Sequence, residues 1–96
     1  MRAAKVDRNQ PEIVVALRKA GATVQPLHTV GNGCPDLLVG YCQRTALVEV
    51  KDGRQKPSDR RLTPDQESWH RDWNGGTLAV VTDVEGALRV LATMGS

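Results

Sequence analysis

The sequence predicts an α/β domain: a mixed four-stranded sheet flanked by helices, its elements in the order αβββαβα. Three observations lead there. Two short apolar segments, DLLVGY from Asp36 and TALVEVK from Thr45, are separated by so few residues that they must fold back on each other as an antiparallel hairpin. A capped helix then stands between the second segment and a further apolar run, Thr77 to Val81, which is the pattern of a strand–helix–strand unit with parallel strands. A chain of 96 residues, 40% hydrophobic and 25% charged, is sized for one domain over 1–96 with a small core.

Each element has its own local cause. Over residues 11–20, Ile13, Ala16, Leu17 and Ala20 recur at helical spacing; Pro11 suits the first turn, Glu12 follows it, and Gly21 stops the helix. Ala22 to Val30 holds β-branched residues but is interrupted by Pro26, as in an edge or irregular strand. Gly31, Asn32, Gly33, Cys34 and Pro35 form a loop. Only Cys42, Gln43 and Arg44 then lie between the two hairpin segments, without the Asn-Gly or Asp-Gly chemistry of favoured two-residue turns. Residues 52–62 are hydrophilic, with four basic side chains against two acidic ones, and read as a surface loop. Thr63, Pro64 and Gln66 match a capping box, opening a helix from about Pro64 to Trp73 that Asn74, Gly75 and Gly76 end. Thr77 to Val81 is a strand, and Thr82 with Glu85 reads as a second capping box before a helix bearing Ala87, Leu88, Leu91 and Ala92.

Composition excludes several functions. No apolar run approaches the roughly 20 residues of a membrane span, so a soluble, intracellular protein without a membrane partner is expected. Three aromatic residues (Tyr41, Trp69, Trp73) and no Phe leave little material for stacking bases on a broad aromatic surface. Cys34 and Cys42 are too few for a zinc site built on thiolate pairs. The net charge of +2 permits a polyanionic partner without specifying one. His28, beside Pro26 in an irregular segment, reads as structural.

The chemistry lies in what interrupts the hairpin's apolar pattern. Alternation puts Ala46, Val48 and Val50 on one face of the second strand and Leu47, Glu49 and Lys51 on the other. If Tyr41 pairs with Arg44, Asp36 comes opposite Glu49; a slip of one residue moves Asp36 to the face of Val50 instead. Two close carboxylates in a partly buried site raise a pKa unless a cation intervenes. Asp36, Glu49 and the backbone carbonyl of Val50 are hard oxygen donors that suit Mg²⁺ or Mn²⁺, with waters and a substrate phosphate completing the shell. Lys51 would stand beside them to orient a water or stabilise a phosphoryl transition state. The competing reading of Glu49 and Lys51 is a solvated pair on an exposed strand.

The run Gly33, Cys34, Pro35, Asp36, Leu37, Leu38, Val39, then Val48, Glu49, Val50, Lys51, then Leu62, Thr63, Pro64, Asp65, Gln66 resembles the PD-(D/E)XK nuclease superfamily. More narrowly it is similar to the stand-alone virus-type replication-repair nuclease domain, VRR-NUC, over about Glu12 to Leu91. The resemblance implies a restriction-endonuclease-like fold and a metal-dependent DNA endonuclease with Mg²⁺ or Mn²⁺. It implies Asp36 and Glu49 as metal-binding acids, Val50 as a carbonyl ligand and Lys51 as the catalytic lysine. Glu12 matches an acidic residue of the first helix that helps organise the metal, although a carboxylate there also stabilises a helix N-terminus. Gln66 matches a glutamine placed to contact Lys51 or substrate, and it is also the capping-box residue; one amide is expected to fill only one of these roles well. In the loop after Lys51, longer and more charged than the resemblance leads one to expect, Arg54, Lys56, Arg60 and Arg61 are either DNA-backbone contacts or a solubilising surface. Small members of this family act as dimers on branched DNA such as four-way junctions, and Trp69 and Trp73, at i and i+4, offer a packing or dimer surface. The alternative function is a non-catalytic nucleic-acid binding module on a nuclease scaffold.

Overall fold

The hairpin register decides which side chains share a face. In the computed structural model, which describes residues 6–95, β2 (Leu37–Tyr41) and β3 (Arg44–Val50) pair antiparallel with Tyr41 opposite Arg44 and Leu37 opposite Val48. A two-residue turn joins them. Cys42 and Gln43 both take left-handed backbone, with φ of 51° and 64°, the conformation that fits the right-handed twist of flanking strands. Neither residue favours it, but both sides of the turn are anchored: Tyr41 packs against the core, and Arg44 Nη1 donates to the Met94 carbonyl at 3.0 Å.

β1 (Thr23–Pro26) pairs antiparallel with β2 at the sheet edge. The strand expected over residues 22–30 is thus cut to four residues, because Pro26 ends the ladder; an irregular loop follows, closed where Leu27 N donates to the Asp36 carbonyl at 2.7 Å. β4 (Thr77–Val81) lies parallel to β3, with Val50 beside Val81. The result is a four-stranded mixed sheet in the order β1-β2-β3-β4, in the predicted α/β element order.

On one face α1 (Gln10–Lys19) and α3 (Val84–Met94) pack together. Ile13 and Leu17 from α1 and Ala87, Leu91 and Met94 from α3 meet Leu37, Val39, Ala46, Val48 and Val50 of the central strands in an aliphatic core. α1 starts one residue before the predicted span, with Pro11 in its first turn. The capping box expected from Thr82 and Glu85 is not what opens α3. Asp83 is its cap, accepting from Gly86 N at 2.7 Å, because an Asp carboxylate one residue later reaches the same orphan donors. A single 3-10 turn, Pro57–Arg60, breaks the basic loop.

α2 (Pro64–Asp72) has no buried residue and sits apart from the aliphatic core. Both arms of its capping box form: Gln66 N donates to Thr63 Oγ1 at 3.2 Å and Thr63 N donates to Gln66 Oε1 at 2.9 Å. Its first turn rests on Gly33, where a Cβ would collide with the Asp65 carbonyl. No helix among the described residues is long and apolar enough to cross a membrane.

Replacing Cys42 and Gln43 by Asn and Gly should remove the left-handed penalty, about 1–2 kcal/mol per residue in an L-amino acid, less the entropy glycine adds to the unfolded chain. A net gain of about 1 kcal/mol, read as a rise of roughly 4–8 °C in thermal midpoint, is expected; an unchanged midpoint would refute a strained turn.

Candidate active site

One more step of the observed register carries Asp36 opposite Glu49, on the face away from α1 and α3. Both are buried, Asp36 at 6% and Glu49 at 1% exposure. Asp36 Oδ2 accepts the Val50 backbone N–H at 2.7 Å, so its carboxylate is fastened to the residue whose carbonyl was expected as a ligand. Burial pushes the Glu49 carboxyl up to about 9; the hydrogen bond and charge of Asp36 add to the rise and Lys51 opposes it. Burial, then the charges of Glu49 and Asp36, also push the Cys34 thiol up, which puts Cys34 beside the acid pair.

Gln66 joins these groups. Its Oε1 accepts from Lys51 Nζ at 2.7 Å and from Thr63 N at 2.9 Å, while its Nε2 donates to Glu49 Oε2 at 3.3 Å. The expectation that one amide cannot both cap the helix and hold the lysine is corrected here. An amide oxygen has two lone pairs and the amide nitrogen two hydrogens, so capping and site contacts use different parts of one group. Asp36, Glu49, Lys51 and Gln66 therefore converge.

Three further residues belong to this region and were not singled out from sequence. His70, one turn after Gln66, brings Nε2 to 3.8 Å from Glu49 Oε1, and burial, with the charge of Lys51, depresses its pKa. Asn9, at the cap position of α1, makes no cap bond; its Nδ2 donates to the carbonyls of Lys51 at 3.1 Å and Thr82 at 3.0 Å, locking the ends of β3 and β4. Asp7 is the N-terminal carboxylate whose charge bears on Glu49. The i,i+4 spacing of Gln66 and His70 was a usable signal; Asn9 and Asp7 gave none.

Other expected residues lie elsewhere. Glu12 is exposed on α1 and lines a neighbouring groove with Asn9, Asp52 and Arg54, where its charge bears on Arg54. Arg54 is bound to Asp52 through Nε at 3.0 Å and Nη2 at 3.1 Å. Arg60 Nε donates to the Gln55 carbonyl at 2.9 Å, and Lys56 and Arg61 are exposed on either side of the 3-10 turn. Trp69 and Trp73 stack on each other, centroids 5.1 Å apart, with Trp73 40% exposed and its indole N–H on the Gly76 carbonyl.

The donor chemistry fits a hard divalent cation. Two buried carboxylates face one another, and Glu49 Oε1 has no hydrogen-bond partner. Among the described residues no three His, Cys, Asp or Glu side chains form a ready cage. That is compatible with Mg²⁺, which is held through one or two carboxylates with waters and substrate phosphate. No family model, curated protein or solved structure matches the chain, so the nuclease resemblance rests on these residues alone.

Two predictions follow from this geometry. Glu49 is raised from an ordinary 4.5 to about 9 on folding; its contribution is complete below pH 4.5 and is lost as pH rises through 9. In chelator-treated protein, stability should fall from pH 7 to 9 by up to about 1 kcal/mol per pH unit, above the range where His70 titrates; Glu49→Gln should flatten that slope in urea titrations, and an equal slope in the variant would refute it. Gly33→Ala combines a left-handed φ of 83° with a backbone collision. It should cost about 3 kcal/mol, seen as a thermal midpoint at least roughly 10 °C lower; a loss under 1 kcal/mol would mean that α2 is not seated there.

Proposed function

We propose that the protein is a metal-dependent DNA endonuclease that hydrolyses phosphodiester bonds, selective for branched DNA such as four-way junctions and working as a homodimer. The observation that carries the reading is a buried acid pair, Asp36 and Glu49, with Lys51 on the same face and held through Gln66. A solvated Glu-x-Lys pair accounts poorly for a glutamate at 1% exposure. A lysine held through Gln66 beside the buried acids supports catalysis over the alternative, a non-catalytic binding module.

Asp36 and Glu49, with the Val50 carbonyl, would hold Mg²⁺ or Mn²⁺, which when bound supplies Lewis-acid polarisation of the phosphate and a more acidic water. The protein's own groups do the positioning. The Val50 N–H fixes the Asp36 carboxylate. Gln66 Oε1 fixes the Lys51 ammonium, leaving two of its hydrogens to hold an attacking water or a phosphate oxygen. Excess negative charge at phosphorus then develops against a cation that needs no reorganisation. Lys56, Arg60 and Arg61 would take the DNA backbone, each neutralised phosphate adding salt-dependent affinity; Arg54, paired with Asp52, is the weakest of the four for this purpose. The preference for branched DNA and the homodimer come from the family resemblance. Trp73, Leu38 and Val80 are exposed apolar side chains available for pairing.

Lys51→Ala and Asp36→Asn should retain wild-type circular dichroism and lose at least about 100-fold in cleavage rate with Mn²⁺. Labelled duplex, flap and four-way-junction DNAs report the substrate: paired, symmetric incisions on the junction are expected. Wild-type cutting by either variant would overturn the reading.

A further inference from the structure

We propose that His70 is a nitrogen ligand of the cation bound at Glu49, and that it makes the site prefer first-row transition ions such as Mn²⁺ and Zn²⁺ over Mg²⁺. The inference rests on the acid-pair reading above and adds a residue and a selectivity to it.

The starting point is two buried atoms with nothing to bond. Glu49 Oε1 and His70 Nε2 are both shielded from solvent and both lack a hydrogen-bond partner. A buried polar atom left unpaired costs about 1–3 kcal/mol, and here two of them face each other at 3.8 Å. That gap is too long for a hydrogen bond, which spans about 2.7–3.2 Å. It is also short for a water between them, since two bonds of about 2.8 Å meeting at a water's angle need nearly 4.5 Å. A divalent ion would bridge the gap with a small shift of either side chain, since 3.8 Å lies within the span of two donors on one metal. Donors at about 2.0–2.2 Å from one metal stand roughly 3 Å apart at a right angle and about 4.2 Å apart when opposed.

The helix makes the arrangement specific. Gln66 and His70, four residues apart on α2, face the two oxygens of the same carboxylate: Gln66 Nε2 takes Oε2, and His70 Nε2 stands against Oε1. Glu49 is thereby turned so that its unbonded oxygen and the unbonded imidazole nitrogen share one space. Imidazole suits Zn²⁺ well and Mn²⁺ more weakly, whereas Mg²⁺ keeps an oxygen shell and parts reluctantly with water. A carboxylate pair alone would not discriminate in this way.

Calorimetric titration of the whole chain with MnCl₂, ZnCl₂ and MgCl₂, for wild type, Glu49→Gln and His70→Ala, tests this. His70→Ala should weaken Mn²⁺ and Zn²⁺ by at least about tenfold and leave Mg²⁺ within twofold. In ¹⁵N-labelled wild type, whose other histidine is His28, Zn²⁺ should shift the His70 ring nitrogen and Mg²⁺ should not, a readout that needs no variant to fold. Cation binding that requires Glu49 but is indifferent to His70→Ala, with the ring nitrogen unmoved by Zn²⁺, overturns the His70 ligand and spares the acid pair. Cation binding that Glu49→Gln leaves intact, or no binding in the wild type, overturns both.

Discussion

Asp36 and Glu49 face each other across the middle of a sheet, almost without solvent, and most of the local structure follows from making that tolerable. A carboxylate buried without compensation neutralises itself by a raised pKa, and Glu49 does so. The Val50 N–H on Asp36, the Gln66 amide on Glu49 and Lys51 two residues along the strand are the compensations the chain supplies. None works in another register. A slip of one residue between β2 and β3 would turn Asp36 into the aliphatic face among Val48, Val50 and Leu91, so the turn of Cys42 and Gln43 keeps its unfavourable backbone because the register it sets is required.

The two faces of the sheet are held by different forces. On the α1/α3 side the stabilisation is hydrophobic, from Ile13, Leu17, Leu37, Val48, Val50 and Leu91, each fully buried aliphatic side chain contributing about 1.5–3 kcal/mol against exposure. On the other side the apolar surface is incomplete, with Leu38 and Val80 exposed, and α2 is attached by polar groups and close backbone approach. Asn9 couples the faces: from the start of α1 it bonds the Lys51 and Thr82 carbonyls, one residue past β3 and β4, so the helix that fills the core also fixes the backbone of Lys51. A small domain thus spends one face on stability and leaves the other for chemistry.

That division explains what could be read from sequence. Strand alternation, the short hairpin connection and the Thr63 capping box are local signals, and they carry the element order and the mixed sheet; the register that brings Asp36 to Glu49 is open in the sequence and set in the structure by the turn at Cys42 and Gln43. The opening of α3 was misplaced because Thr82 and Asp83 are both good caps, and which one acts depends on where β4 ends. Glu12 is matched to the metal site by the family resemblance alone; in the structure its charge bears on Arg54, while the upstream charge that bears on Glu49 is that of Asp7. Nothing local to Asn9 reveals that two strand ends 42 and 73 residues away would claim its amide. His70 is four residues from Gln66, a spacing that puts both on one face of the helix and is legible in the sequence.

The attachment of α2 has an energetic consequence. With no buried residue and marginal length, this helix has little stability of its own. What holds it is the seat on Gly33, the Thr63 box, the Gln66 and His70 contacts to Glu49, and the Trp69–Trp73 stack pinned at Gly76. One of those four, the pair of contacts from Gln66 and His70, depends on the state of Glu49. Anything that stabilises the ionised acid pair therefore tightens Gln66 and His70 as well, and by linkage anything that seats α2 more firmly pre-organises the acids. Helix and site are one cooperative unit, which is why a helix contributing nothing to the core is nonetheless packed so closely against the loop that carries Asp36.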